Sequence, residues 1–235
     1  MVKFEKIEKL IGVLLIISPI LFIILEYYAL QHSNLPTSIA YQGFSVSELA
    51  VPLGDSITAL GPSLKVIYTS TVSNLSPYAF LINIGFVLCG LTILIGNFAV
   101  IKKFVSKYKF IFYLITLILS LGLFIVAIFH TGAPDSEGMH KIGALMLFFG
   151  GSFLLIFMGL FSKNIPVYKN ASLILGIIGL IGGILFCSFI NDPVLGVYRG
   201  IVERGNIYAT LVWILMSGFY LIFKKYQIKD LVIYL

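Results

Sequence analysis

Apolar runs long enough to cross a membrane recur along this chain, at about residues 7–30, 77–101, 110–129, 142–161, 171–190 and 207–223. A hydrocarbon core roughly 30 Å thick needs about 20 apolar helical residues to span it. Inside that core every backbone N–H and C=O has to be satisfied within the structure, which limits spanning segments to helices and closed barrels. Runs of this length specify helices. The expected architecture is therefore all-α: a polytopic membrane protein with six transmembrane helices in one bundle, a single domain over 1–235. The charged fraction of 11% agrees, since a soluble domain carries roughly 25%. The net charge of +6 does not indicate nucleic acid, because the basic residues lie in short clusters beside the apolar runs, as cytoplasmic loops do.

Those clusters set the orientation. Lys3, Lys6, Lys9, Lys102, Lys103, Lys107, Lys109, Lys163, Lys169, Lys224, Lys225 and Lys229 fall on one side; only Lys65, Lys141, Arg199 and Arg204 fall on the other. The positive-inside rule then places both termini in the cytoplasm of a multi-pass cell-membrane protein. The acids and histidines segregate the opposite way, with His32, His130, His140, Glu26, Glu48, Asp55, Asp135, Glu137, Asp192 and Glu203 external. The basic N-terminus resembles a signal peptide's, but its apolar run is long and no small-x-small site follows, so it reads as a retained first span.

Local signals refine this picture. Pro19 is expected to kink span one. Glu26 is expected to reach interfacial water, with a buried pairing to a basic residue as the alternative. Cys89 and Cys187 fall at different depths, too far apart for a disulfide, which predicts two free, buried thiols. Residues 31–76 are too long for a structureless loop and predict a folded external cap, partly re-entrant. Within it Ser45-Val46-Ser47-Glu48 has the form of a helix capping box. Asn74-Leu75-Ser76 is formally a glycosylation sequon, but Ser76 as N-cap with Pro77 at the first helical position explains the residues better. In span five, Gly179 and Gly183 give a face without side chains, suited to close packing within the chain or to self-association. The tail ends in an apolar patch, 231–235, expected against the membrane or the chain.

The stretch with most chemistry is the link 129–140, which sets His130, Asp135 and His140 as His-x4-Asp-x4-His. In its plainest reading Asp135 or Ser136 caps span four, Glu137 favours the helix N-terminus, and both histidines rest at the interface with wet tips. In a metal reading His130, Asp135 and His140 ligate a divalent ion, joined by Glu48 or Asp192. The same residues without metal suit proton sensing or relay. Arg199 and Arg204 suit bidentate recognition of an anionic lipid headgroup. Their alternative is pairing with Glu203, Glu26 or Asp192. No phosphate loop, dinucleotide fingerprint, HExxH or CxxC occurs, and no internal repeat is visible.

Ser47-Glu48-Leu49-Ala50, Ser76-Pro77-Tyr78 with Asn83, Gly85, Phe86 and Gly90, Pro134-Asp135, His140, Gly143-Ala144-Leu145, Phe148-Phe149 and Val202-Glu203-Arg204 together resemble the domain-of-unknown-function 998 family of six-span membrane proteins. The resemblance covers most of the chain and implies the fold. It brings no reaction with it, and the link between Ala50 and Ser76 is longer here than that family's pattern.

The leading expectation is a binder of a lipid headgroup or small amphiphile in an outer-face polar pocket, with Arg199, Arg204, Glu203 and Asn83 as the ligand-binding candidates and membrane lipids as the partners. The alternative is a membrane-embedded lipid hydrolase or transferase using His130, Asp135, His140 and Glu48 as catalytic residues, with a divalent metal as its possible cofactor. A small-solute or proton carrier stands third, because the spans hold few ionisable residues.

Overall fold

The computed structural model describes residues 2–33, 35–51, 76–131, 137–163, 165–190, 192 and 194–223. Six helices are long and apolar enough to cross a membrane: α1 (Val2–Gln31), α4 (Ala79–Phe104), α5 (Lys109–Ile128), α6 (Glu137–Phe161), α7 (Pro166–Phe189) and α8 (Arg199–Phe223). Two short helices, α2 (Thr37–Gly43) and α3 (Val46–Leu49), follow α1. Each long helix packs on its neighbours in sequence, and α1 closes the ring against α8. Backbones touch at that closure: a Cβ on Gly218 would lie 2.6 Å from the Gly12 carbonyl oxygen.

The helices are built for lipid. On α7, Ile174, Ile177, Ile178, Ile181 and Ile184 are exposed while Gly176, Gly179, Gly182 and Gly183 are buried. Large side chains therefore face outward and the glycine face packs inward, the pattern of a helix whose solvent is hydrocarbon. That face is filled from within the chain. Gly176 meets Leu155 and Ile156 of α6, and Gly179, Gly182 and Gly183 meet Asn206 of α8. Asn206 Nδ2 reaches the carbonyls of Gly179 (2.6 Å) and Phe148 (3.2 Å) and Ser152 Oγ (3.2 Å), tying α6, α7 and α8 together.

Several boundaries differ from the hydropathy reading. α6 starts at Glu137 rather than 142, α7 at Pro166 rather than 171, and α8 at Arg199 rather than 207. Helical hydrogen bonding continues past the apolar run wherever its polar side chains find partners. α1 continues through Pro19. Ser76 Oγ accepts the Tyr78 N–H at 3.2 Å, and α4 begins one residue later. Both thiols are free, as expected, but Cys187 is exposed where burial was expected. It lies on the outer side of α7, where Leu185 and Ser188 are also exposed.

At one end of the ring the links are tight. Lys163 N–H donates to the Phe104 carbonyl at 2.6 Å, and Val105 pairs with Ser162, clipping the α4–α5 link to the α6–α7 link. Lys103 reaches Glu8 at 2.6 Å. At the other end the α1–α4 connection folds back: residues 43–51 are buried throughout, with α3 packed on α1, α4 and α8. The remainder of the cap (52–75, including Asn74), Asp135 and Ser136 of the polar link, and the apolar tail 231–235 lie outside the described residues.

Candidate functional site

The folded-back segment 43–51 carries its own capping box. Ser45 Oγ accepts the Glu48 N–H at 3.1 Å and Glu48 Oε2 accepts the Ser45 N–H at 2.8 Å, the reciprocal arrangement the Ser-x-x-Glu spacing predicts. Glu48 does more than cap. Arg199 at the start of α8 grips the same carboxylate with both arms, Nη2 to Oε1 at 2.8 Å and Nε to Oε2 at 3.2 Å. Two-armed contact of this kind fixes orientation as well as charge.

A helical turn further along α8, Arg204 Nε donates to Glu26 Oε1 at 2.7 Å, and Tyr208 donates to Glu26 Oε2 at 2.9 Å. Arg204 Nη1 reaches the carbonyls of Tyr41 (2.8 Å), Phe44 (2.8 Å) and Gly200 (3.0 Å). Those of Tyr41 and Phe44 belong to the end of α2, where helical C=O groups lack intrahelical partners. The guanidinium also lies 4.4 Å from the Tyr41 ring centroid. Glu26 is 1% exposed, so the expectation that it reaches interfacial water is overturned and the paired alternative holds. Its position near the end of α1 suggested water access, but the folded-back segment covers it.

Glu203 is placed between these two arginines in sequence and takes neither. Val46 N–H donates to its Oε2; no described residue donates to Oε1. Of the partners expected for the arginines, then, Glu26 is used, Glu203 and Asp192 are not, and Glu48 takes the remaining place. Asp192 accepts the N–H groups of Val194 (2.8 Å) and Leu195 (2.7 Å), capping the 3-10 turn Leu195–Tyr198. Those two bonds hold its carboxyl below the usual range.

Beside this network lies a cavity of about 330 Å³. Ser45, Ser47, Glu48 and Glu203 form one side, Thr131, Glu137, His140 and Lys141 another, and Ala144, Leu145, Phe148, Phe186, Cys187 and Ile190 an apolar side. It reaches the surface between α6 and α7, where Lys141, Leu145 and Cys187 are exposed. His140 is buried, at 5% exposure, which corrects the expectation of a wet interfacial ring. The early start of α6 carries it inward. Its Nδ1 pairs with the Phe129 carbonyl at 2.7 Å. A carbonyl only accepts, so Nδ1 bears the proton, and no described residue meets Nε2. His130 turns its Nδ1 to the Thr131 carbonyl at 3.2 Å, is half-buried, and does not line the cavity.

The sequence candidates thus divide. Glu48, His140 and Glu203 come together at the cavity. Arg199 and Arg204 do not line it; their remaining atoms, Arg199 Nη1 and Arg204 Nη2, are buried without a partner among the described residues. Asn83 donates to the Ala50 carbonyl at 3.1 Å and lies elsewhere. Asp135 lies outside the described residues. Among the described residues no three His, Cys, Asp or Glu side chains gather closely enough to hold a metal. Sequence reasoning missed Glu137, Lys141 and the apolar wall as cavity residues. The available signal was helical spacing, since residues 137, 140, 141, 144, 145 and 148 share one face once α6 is started at Glu137.

No curated protein and no solved structure matches the chain. The family model described as a protein of unknown function, DUF998, matches residues 49–220, which take in α4 to α7, most of α8 and the arginine-bearing start of α8. Five of the six apolar helices, α4 to α7 whole and α8 up to residue 220, fall within those limits together with Arg199, Glu203 and Arg204, while Glu48 lies one residue before them and α1 outside, and the chain belongs to the DUF998 family of polytopic membrane proteins.

Proposed function

We propose that this protein binds a small amphiphile, its polar head in the cavity beside α3 and its apolar part leaving between α6 and α7. One observation carries the reading: a single cavity of about 330 Å³ has ionisable side chains on one side and Ala144, Leu145, Phe148, Phe186 and Ile190 on the other. Volumes of roughly 300–1,000 Å³ are ordinary for small-molecule sites. The basic asymmetry of the sequence supports an outer-face position for this end of the bundle, with both termini cytoplasmic. Membrane lipids, or amphiphiles dissolved among them, are then the natural occupants.

The chemistry at the cavity favours holding over reacting. Glu48 is occupied by Arg199 and Ser45, and His130 does not line the cavity. Ala144→Phe tests the reading, because it fills the cavity from its apolar wall and leaves the ionic network untouched. Native mass spectrometry of the full chain released from phosphatidylcholine nanodiscs, with dodecyl amphiphiles of differing heads added, should show at least one retained by wild type and lost from A144F at unchanged thermal stability. Equal retention by both proteins, or by neither, overturns amphiphile binding in this cavity.

A further inference from the structure

Resting on the amphiphile reading, we infer that the head this cavity accepts is a protonated amine, held by Glu203 Oε1 and His140 Nε2. The lining is rich in acceptors and poor in free donors. Glu203 is 2% exposed and His140 5% exposed; both line the cavity, and each keeps one polar atom, Oε1 and Nε2, that no described residue meets. The carboxylate of Glu203 has no cation within ion-pair distance among the described residues, because Arg199 turns to Glu48 and Arg204 to Glu26.

Among the described residues three buried carboxylates, Glu26, Glu48 and Glu203, therefore face two buried guanidinium groups. A buried carboxylate without a cation is costly, and a ligand that brings the positive charge removes that cost. An ammonium also supplies N–H donors to both open acceptors, whereas a phosphate would add negative charge and acceptors to a wall already made of them. The groups that would hold phosphate are out of reach. The arginines do not line the cavity and their spare nitrogens are buried. Lys141, the one Lys or Arg on the lining among the described residues, pairs with Glu137 at 3.3 Å.

The amine can arrive as a free alkylamine or as the headgroup of an aminophospholipid. Dodecylamine, dodecyltrimethylammonium, dodecanol and dodecyl phosphate, added to the full chain in phosphatidylcholine nanodiscs, separate the possibilities. Dodecylamine should bind most tightly, by about tenfold or more over dodecanol, the effect of one hydrogen bond to a charged group. The trimethylammonium analogue carries charge without N–H and should fall between. Glu203→Gln keeps an acceptor for the Val46 N–H and removes the charge. It should erase the amine preference, bringing dodecylamine down to the level of dodecanol, at thermal stability no lower than wild type.

Replacing phosphatidylcholine with phosphatidylethanolamine distinguishes the sources: suppressed dodecylamine binding identifies a lipid amine as occupant, and unaltered binding a free one. Dodecyl phosphate binding best, or dodecylamine binding equally to wild type and E203Q, overturns the inference and leaves amphiphile binding standing. Binding of no amphiphile overturns both.

Discussion

Truncating Arg204 to alanine would leave Glu26 inside the bundle with Tyr208 as its remaining partner among the described residues, and would free the carbonyls of Tyr41 and Phe44. Breaking a buried pair from one side leaves an uncompensated charge and costs about 3–5 kcal/mol. Arg204→Ala should therefore lower the thermal midpoint in detergent sharply. Arg204→Lys should recover little, since one ammonium cannot copy the planar fork that reaches Glu26 and two carbonyls at once. Adding Glu26→Leu to R204A removes the stranded charge and should restore part of the loss, the unmet carbonyls accounting for the rest; an R204A variant as stable as wild type would show that the pair carries no stability. The Ser45–Glu48 box was legible in the sequence because its two residues lie three apart and the bonding is local. The Glu26–Arg204 and Glu48–Arg199 pairs join residues 178 and 151 apart. Sequence showed only that these charges share one membrane face, not which would meet.

At the level of elements, the short α2 rests on α8 through backbone rather than side chains. A Cβ on Gly200 would strike the Phe44 carbonyl oxygen and lie 2.6 Å from that of Tyr41 and 2.8 Å from that of Gln42. These are backbone atoms on a helix end that Arg204 already anchors, so they cannot step aside as a side-chain tip would. Gly200→Ala should lift α2 away from α8. Ala40 reports on it: the residue is fully buried, so a cysteine placed there in a background lacking Cys187 should resist maleimide in the parent and react in G200A. Unreactive Ala40→Cys in both would mean that α2 does not depend on this approach. Hydropathy located every long helix, because apolar length is what the bilayer demands. It misplaced the start of α8 by roughly two turns, because Arg199, Glu203 and Arg204 look like link residues until their spacing is read as one buried helical face.

For the whole molecule, the ring closes by sequential antiparallel packing, which short links favour and which leaves one end clipped by Phe104–Lys163 and the other plugged by residues 43–51. The lysine-rich links lie at the clipped end and the cavity at the plugged one, so charge asymmetry and cavity position become a single question of orientation. If the positive-inside rule holds, the cavity opens toward the outer leaflet and would draw the proposed amphiphile from there; inverted, it would sample the inner leaflet. Exposed positions decide it. Val194, beside the cavity end, is 71% exposed, and Lys107 and Lys163 are exposed at the clipped end. In intact cells, with Cys187 replaced by serine, a membrane-impermeant maleimide should label Val194→Cys directly and Lys107→Cys and Lys163→Cys only after lysis. Cys89, buried at 1% exposure, should stay silent in all three. The reverse labelling would place the cavity on the cytoplasmic face, and the amine-headed ligand would then have to come from the inner leaflet or from the cytoplasm.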